Sequence, residues 1–144
     1  MIEAPLVVRK MALISADLKE IVELGGRPLE DHLGDLHAQA LAERYLERVI
    51  GRMVDINYHL ITAGGDRPPK DYYDSFIKLG TIRVLPPELA RELAASTGLR
   101  NRIAHEYDDI DHAKVHEGLR AAARDVPQYL RHVQSHLESL GAAH

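Results

Sequence analysis

From Val115 to Leu140 apolar residues return every three or four positions, at Val115, Leu119, Ala122, Val126, Leu130, Val133, Leu137 and Leu140. At about 100° per residue this row stays on one side of an α-helix, whereas a strand would scatter it over both faces. A helix with one oily stripe gains its stability from what the stripe packs against, so the rest of the chain must supply partners. Pro127 falls inside the row and predicts a kink.

The partners are visible upstream. Between Ala4 and Leu24, the residues Leu6, Val7, Met11, Leu13, Ile14, Leu18, Ile21 and Val22 repeat at three and four, with Pro5 in the first turn and Gly25-Gly26 as the stop. A second helix is predicted from about Leu29 to Ile61, with Ala42, Leu46, Val49, Ile50, Met53, Ile56, Leu60 and Ile61 as its stripe. Gly34 and Gly51 weaken that helix and allow a bend or a close helix approach. The run Ala63-Gly64-Gly65-Asp66-Arg67-Pro68-Pro69 breaks the pattern, and Asp71 offers an N-cap for a short helix through Leu79. Pro86-Pro87 opens a fourth helix that carries Leu89, Leu93 and Thr97 on the face leading to Arg100 and Tyr107, and Gly98 leaves room for a neighbour. Asp109 or Asp111 can cap the final helix. The pattern predicts an all-α protein, an antiparallel bundle of four to five helices forming a single domain over residues 1–144.

Composition narrows the chemistry. Without cysteine there is no disulfide, thiolate nucleophile or cysteine-ligated zinc. A formal net charge of -4 argues against a general nucleic-acid coat, though a local cationic cleft remains open to the chain. No window approaches the ~20 apolar residues of a membrane span and no leader pattern is present, so a cytoplasmic protein without membrane contact is expected. Glycine-rich phosphate loops are absent, and no cofactor is expected. His112 with His116, and His132 with His136, are i,i+4 pairs of the kind that can ligate a metal. Neither has an H-E-x-x-H context, so both are read as solvated helix faces with no metal site.

The chemistry-bearing residues gather in Arg100-Asn101-Arg102-Ile103-Ala104-His105-Glu106-Tyr107. Histidine can take and return a proton near neutrality, and arginine presents a permanently charged planar fork to phosphate oxygens. That pair suits phosphoryl transfer without a metal: His105 would assist a ribose 2′-hydroxyl, and Arg100 would stabilise charge growing on the phosphoryl oxygens. Asn101, four residues before His105, could orient the imidazole, and Arg102 adds cationic charge. Five residues place Arg100 and His105 about 140° apart around the axis and ~7.5 Å along it. A second copy of the helix across a two-fold axis would bring them to one substrate. By spacing alone these residues read more readily as a solvated helix end with favourable C-terminal charges.

The pattern Arg100-x4-His105-x-Tyr107 resembles the R-x4-H-x-Y signature of the HEPN superfamily, and in particular of the HepT toxins of HepT/MntA toxin–antitoxin pairs. The order of elements, including the tyrosine-rich stretch Asp71-Tyr72-Tyr73-Asp74-Ser75-Phe76, follows that family over nearly the whole chain. The resemblance implies a homodimeric endoribonuclease acting on cellular RNA, with tRNA the expected substrate, in a cleft formed by Arg100 and His105 of both chains. It also implies a cognate MntA-like nucleotidyltransferase antitoxin that silences the toxin by adenylylating Tyr107. Two alternatives stay open: an inactive HEPN module that holds nucleotide or RNA beside a nucleotidyltransferase, and a plain helical dimerisation protein.

Asn57, an amide inside an apolar stripe, is either a buried hydrogen-bonding group or, with Asp55, part of the wall beside the motif helix. Tyr72, Tyr73 and Phe76 are either packing over the bundle or, in one case, a platform for an RNA base.

Overall fold

The computed structural model describes residues 2–106 and 108–142. Among them it contains six helices and no strand: α1 (Ala4–Gly25), α2 (Leu29–Leu33), α3 (Leu36–Ala63), α4 (Tyr72–Thr81), α5 (Pro87–His105) and α6 (His112–Ala142). The all-α expectation holds, with one helix more than the upper count. The extra element arises where the long second helix was expected to run unbroken. Gly34 caps α2, Asp35 turns extended, and the Asp35 carboxylate accepts from the Ala38 amide at 3.0 Å to start α3 afresh. The short α2 is thereby free to pack against both α3 and α6.

The stripes meet in one apolar cluster. Val7, Ile14, Ile21 and Leu24 of α1 pack with Leu46, Val49, Ile50, Met53 and Ile56 of α3 and with Val115, Leu119, Val126 and Val133 of α6. The α6 row passes through Tyr129, which is fully buried, while Leu130 sits at the cluster's edge. The helix runs through Pro127 as a single element. Its partner α1 comes close at Gly25, where a Cβ would lie 3.1 Å from Leu119 Cβ. The pair α4 and α5 is as tight at Gly80, where a Cβ would meet that of Ala90 at 2.9 Å. At Gly98 only the Arg102 guanidinium comes near, at 3.7 Å; the close approach in that stretch is made by the next residue, Leu99, whose side chain packs onto Gly118 of α6.

Two polar ties cross this core. Asp17 on α1 is buried between Arg52 Nη1 at 2.8 Å and Arg48 Nε at 3.1 Å, both on α3. Removing one partner of such a pair leaves a buried charge uncompensated, which is why the three act as one unit. The second tie begins at Tyr129, whose hydroxyl donates to Asn57 Oδ1 at 2.7 Å. Asn57 Nδ2 donates to Ser75 Oγ at 3.1 Å, and Ser75 Oγ donates to the Tyr72 carbonyl at 2.7 Å. Burial raises the Tyr129 phenol well above its ordinary pKa, so it stays a neutral donor. Among the described residues, no helix is long and apolar enough to cross a membrane.

Candidate functional site

The face of α5 that enters the core carries Leu89, Leu93 and Thr97, all buried, and one turn later it delivers Arg100 half-buried at the edge of the bundle. There the guanidinium carbon lies 5.2 Å from the centre of the Tyr72 ring, within the range of a cation–π contact. Its Nη2 stands 3.9 Å from Glu47 Oε1, too long for a hydrogen bond and loose as an ion pair. Arg100 Nε is buried without a hydrogen-bond partner among the described residues. The arginine is therefore fixed in orientation by stacking, while its hydrogen-bonding capacity is largely unspent.

Beside it opens a cleft of about 400 Å³ lined by Tyr58, Lys70, Asp71, Tyr72, Tyr73, Thr97, Arg100 and Asn101. The elements that build it are α3, α4 with the residue before its cap, and the middle of α5. Asp71 starts α4 by accepting from the Asp74 amide at 2.8 Å, and so sets where the two tyrosines project. The Tyr58 phenol is raised above its ordinary pKa by burial, then by Tyr72, Asp71 and Asp74, and it faces the cleft as a neutral hydroxyl.

His105 is the last residue of α5 and is exposed, and it does not line the cleft that holds Arg100 and Asn101. The helical offset between Arg100 and His105 is thus real within one chain. Arg102 is exposed and lies on the opposite side of α5, where it borders an apolar groove with Leu99, Lys114 and Glu117. Tyr107 lies outside the described residues. Asn57 is wholly buried and both ends of its amide are used inside the bundle, so it is a core residue whose link to the cleft runs through Ser75 to the Tyr72 backbone. Asp55 is exposed on α3, where it pairs with Lys10 of α1 at 3.2 Å.

Sequence reasoning missed Glu47, Tyr58 and Lys70. The signal for the first two was present: Glu47, Gly51, Val54 and Tyr58 fall at i, i+4, i+7 and i+11 and share one side of α3. Lys70 carried none, because it stands in a loop.

The His112–His116 pair of α6 is not a solvated face. His116 is buried, and its Nε2 lies 2.8 Å from the Arg27 carbonyl. His32 of α2, also buried, has its ring centre 5.3 Å from that of His116 and 6.5 Å from that of His112. The break at Gly34-Asp35 places α2 over this stretch of α6 and explains the burial. The His32 pKa is lowered by burial first, then by the His116 and His112 imidazoles, with Arg27 adding slightly and Asp35 opposing. Among the described residues, no group of three or more His, Cys, Asp or Glu is arranged to hold a metal ion.

The family model described as "Ribonuclease HepT-like" matches residues 14–133. A curated relative, the tRNA nuclease HepT of Aphanizomenon flos-aquae, is 34% identical over 139 residues, covering 96% of this chain and 95% of the relative. Among solved structures, the tri-AMPylated HEPN toxin of Shewanella oneidensis in complex with its MNT antitoxin superposes with a TM-score of 0.81 at 22% identity, covering 90% of this chain and 96% of that one. The cytosolic protein YutE of Bacillus subtilis, of unknown function, superposes at 0.83 with 14% identity, covering 96% of this chain and 92% of its own. At those identities the two superpositions speak to the fold.

Proposed function

The chain belongs to the HepT-like ribonuclease family, and on that footing we propose that it is the endoribonuclease toxin of a toxin–antitoxin pair, working as a homodimer of a single domain spanning residues 1–144. The substrate is cellular RNA, with tRNA favoured because the curated relative is a tRNA nuclease. The observation that carries the reading is Arg100: a guanidinium oriented by Tyr72, with an unpartnered buried Nε, at the head of the Arg100-x4-His105 spacing.

The chemistry needs a base, an acid and a cation. The His105 imidazole takes the proton of a ribose 2′-hydroxyl while that oxygen bonds to the adjacent phosphorus. The bond from phosphorus to the 5′ oxygen breaks, and the departing oxygen takes a proton from an imidazolium, the partner's or the same one on return. Products are a 2′,3′-cyclic phosphate and a free 5′-hydroxyl. Arg100 gathers the charge that builds on the non-bridging oxygens, and no metal enters the scheme. Because His105 stands outside its own chain's Arg100 cleft, the dimer axis supplies the missing neighbour. Asn101 borders the cleft and stands one turn before His105, as an orienting group should. Arg102 extends the cationic surface, and Asn57 acts at a distance by fixing α4 and hence Tyr72.

Neutralisation is by a cognate MntA-like nucleotidyltransferase. The Shewanella toxin carries AMP groups and is bound to an MNT antitoxin, which supports the same relationship here. The acceptor is Tyr107: its phenolic oxygen bonds to the α-phosphorus of ATP and pyrophosphate leaves. The added phosphate brings bulk and negative charge to a site that must receive RNA phosphate.

The test is cleavage of a tRNA pool by the purified protein in EDTA, with end-group analysis of the products. Cyclic phosphate termini that vanish with His105→Ala support the mechanism. Cleavage that survives His105→Ala, or that depends on a divalent metal, removes it.

A further inference from the structure

We propose that the cleft between α4 and α5 is a subsite for one unstacked nucleobase of single-stranded RNA, with Tyr73 as its stacking platform. The proposal rests on the ribonuclease reading above, and adds to it where the nucleotide beside the scissile phosphate is held.

Four observations converge. Tyr73 is 51% exposed, a large ring left to water at the mouth of a cleft. Its neighbour Tyr72 is already engaged by the Arg100 guanidinium at 5.2 Å, so the two tyrosines divide the work: one orients the arginine, the other is free to take a ligand. The cleft, at about 400 Å³, is within the size range of small-molecule sites and admits a base with its ribose. Its rim holds the polar groups such a ligand needs: the exposed Asn101 amide, with donors and an acceptor for a base edge, and Lys70, whose ammonium makes no ion pair among the described residues.

The balance of charges favours a base over a run of phosphates. In the lining Lys70 and Arg100 are set against Asp71, and Arg100 also has Glu47 at 3.9 Å, so the cleft carries little net charge and suits an aromatic ring beside a single phosphate better than a run of phosphates. Aromatic rings interleaved with a few cations are how proteins hold single strands, because every base has a π-face. A base within a duplex cannot reach such a site, which makes the subsite selective for loops and ends. Because Arg100 lines the cleft and also gathers charge on the reacting phosphate, a bound base lies next to that phosphate rather than remote from it.

The experiment uses full-length His105→Ala protein, which holds RNA without cutting it, and single-stranded oligoribonucleotides carrying 2-aminopurine at successive positions. One position should be quenched on binding. Adding Tyr73→Ala should remove the quench and weaken binding roughly tenfold, while Tyr73→Phe, which keeps the ring, should retain both. In the active protein Tyr73→Ala should raise KM more than it lowers kcat. Binding unchanged by Tyr73→Ala, in protein with the parent circular dichroism and dimer mass, overturns the subsite even if RNA is cut. Tyr73-dependent binding of AMP with none of the oligonucleotide also overturns it, by making the cleft a mononucleotide site. Quenching that depends on Tyr73 in a protein that cuts no RNA supports the subsite while sinking the ribonuclease reading.

Discussion

The Arg100 guanidinium stacks on Tyr72 with 5.2 Å between its central carbon and the ring centre, so the orientation of the motif arginine is set by a residue of another helix. A lysine keeps the charge but loses the planar fork and most of the stacking. Arg100→Lys should therefore cost activity with little cost in stability. We expect kcat to fall by about a hundredfold or more, the scale of losing one transition-state donor, with unfolding free energy within roughly 0.5 kcal/mol of the parent. RNA cleavage rates and denaturant melts on the same preparation check both halves.

Asn57 behaves differently because it joins three helices. Asn57→Ala removes two buried hydrogen bonds, the one accepted from Tyr129 and the one donated to Ser75, and leaves the Tyr129 hydroxyl with the Met53 carbonyl at 3.1 Å. Two lost hydrogen bonds should destabilise the fold by about 2 kcal/mol, a fall in Tm of roughly 6 °C. Hydrogen exchange should show α4 loosened first, since Ser75 is its link to Asn57.

The α2–α6 contact makes stability depend on pH. His32 has its pKa lowered from 6.5 in the folded state, chiefly by burial, so near and below that value the unfolded chain binds more protons than the folded one. Stability is full above pH 6.5 and falls as pH drops through the folded-state value. Burial shifts His136 in the same direction, so His32→Leu should flatten the slope without abolishing it. Urea midpoints measured from pH 7.5 down to about pH 5 test the sign, and stability that rises on acidification would contradict it.

Adenylylation makes a mass-spectrometric prediction. Incubation with the cognate nucleotidyltransferase and ATP should add AMP to the peptide containing Tyr107, and Tyr107→Phe should stay both unmodified and active on RNA. AMP carried on another residue would remove Tyr107 from the role.

How far the sequence could be read follows from what each signal measures. Apolar periodicity placed α1 and α6, whose stripes are long enough to average over local noise, while α4 and α5 were placed by their start signals, Asp71 and Pro86-Pro87. It ran α2 into α3, because five residues of helix carry no usable period. The Asp35 cap that separates them is a local hydrogen bond visible only as one acidic residue after a glycine. The His112–His116 pair was given to solvent for the same reason, since the covering residue, His32, sits on that short helix. At the motif the 100° rule correctly set Arg100 and His105 on different sides of α5. It could not show Tyr72 or Glu47 meeting Arg100, because those contacts join helices far apart in the chain.

The central claim is that the arginine of one protomer and the histidine of its partner act on the same phosphodiester, and mixed dimers test it most directly. Arg100→Ala and His105→Ala chains, each inactive alone, are given different tags, refolded together, and the doubly tagged dimer is isolated. Such a dimer has an intact Arg100 on one protomer and an intact His105 on the other, so it should recover about half of the wild-type cleavage rate if one composite site is restored. A mixed dimer as inactive as its parents, beside an active wild type, would contradict a site shared between protomers.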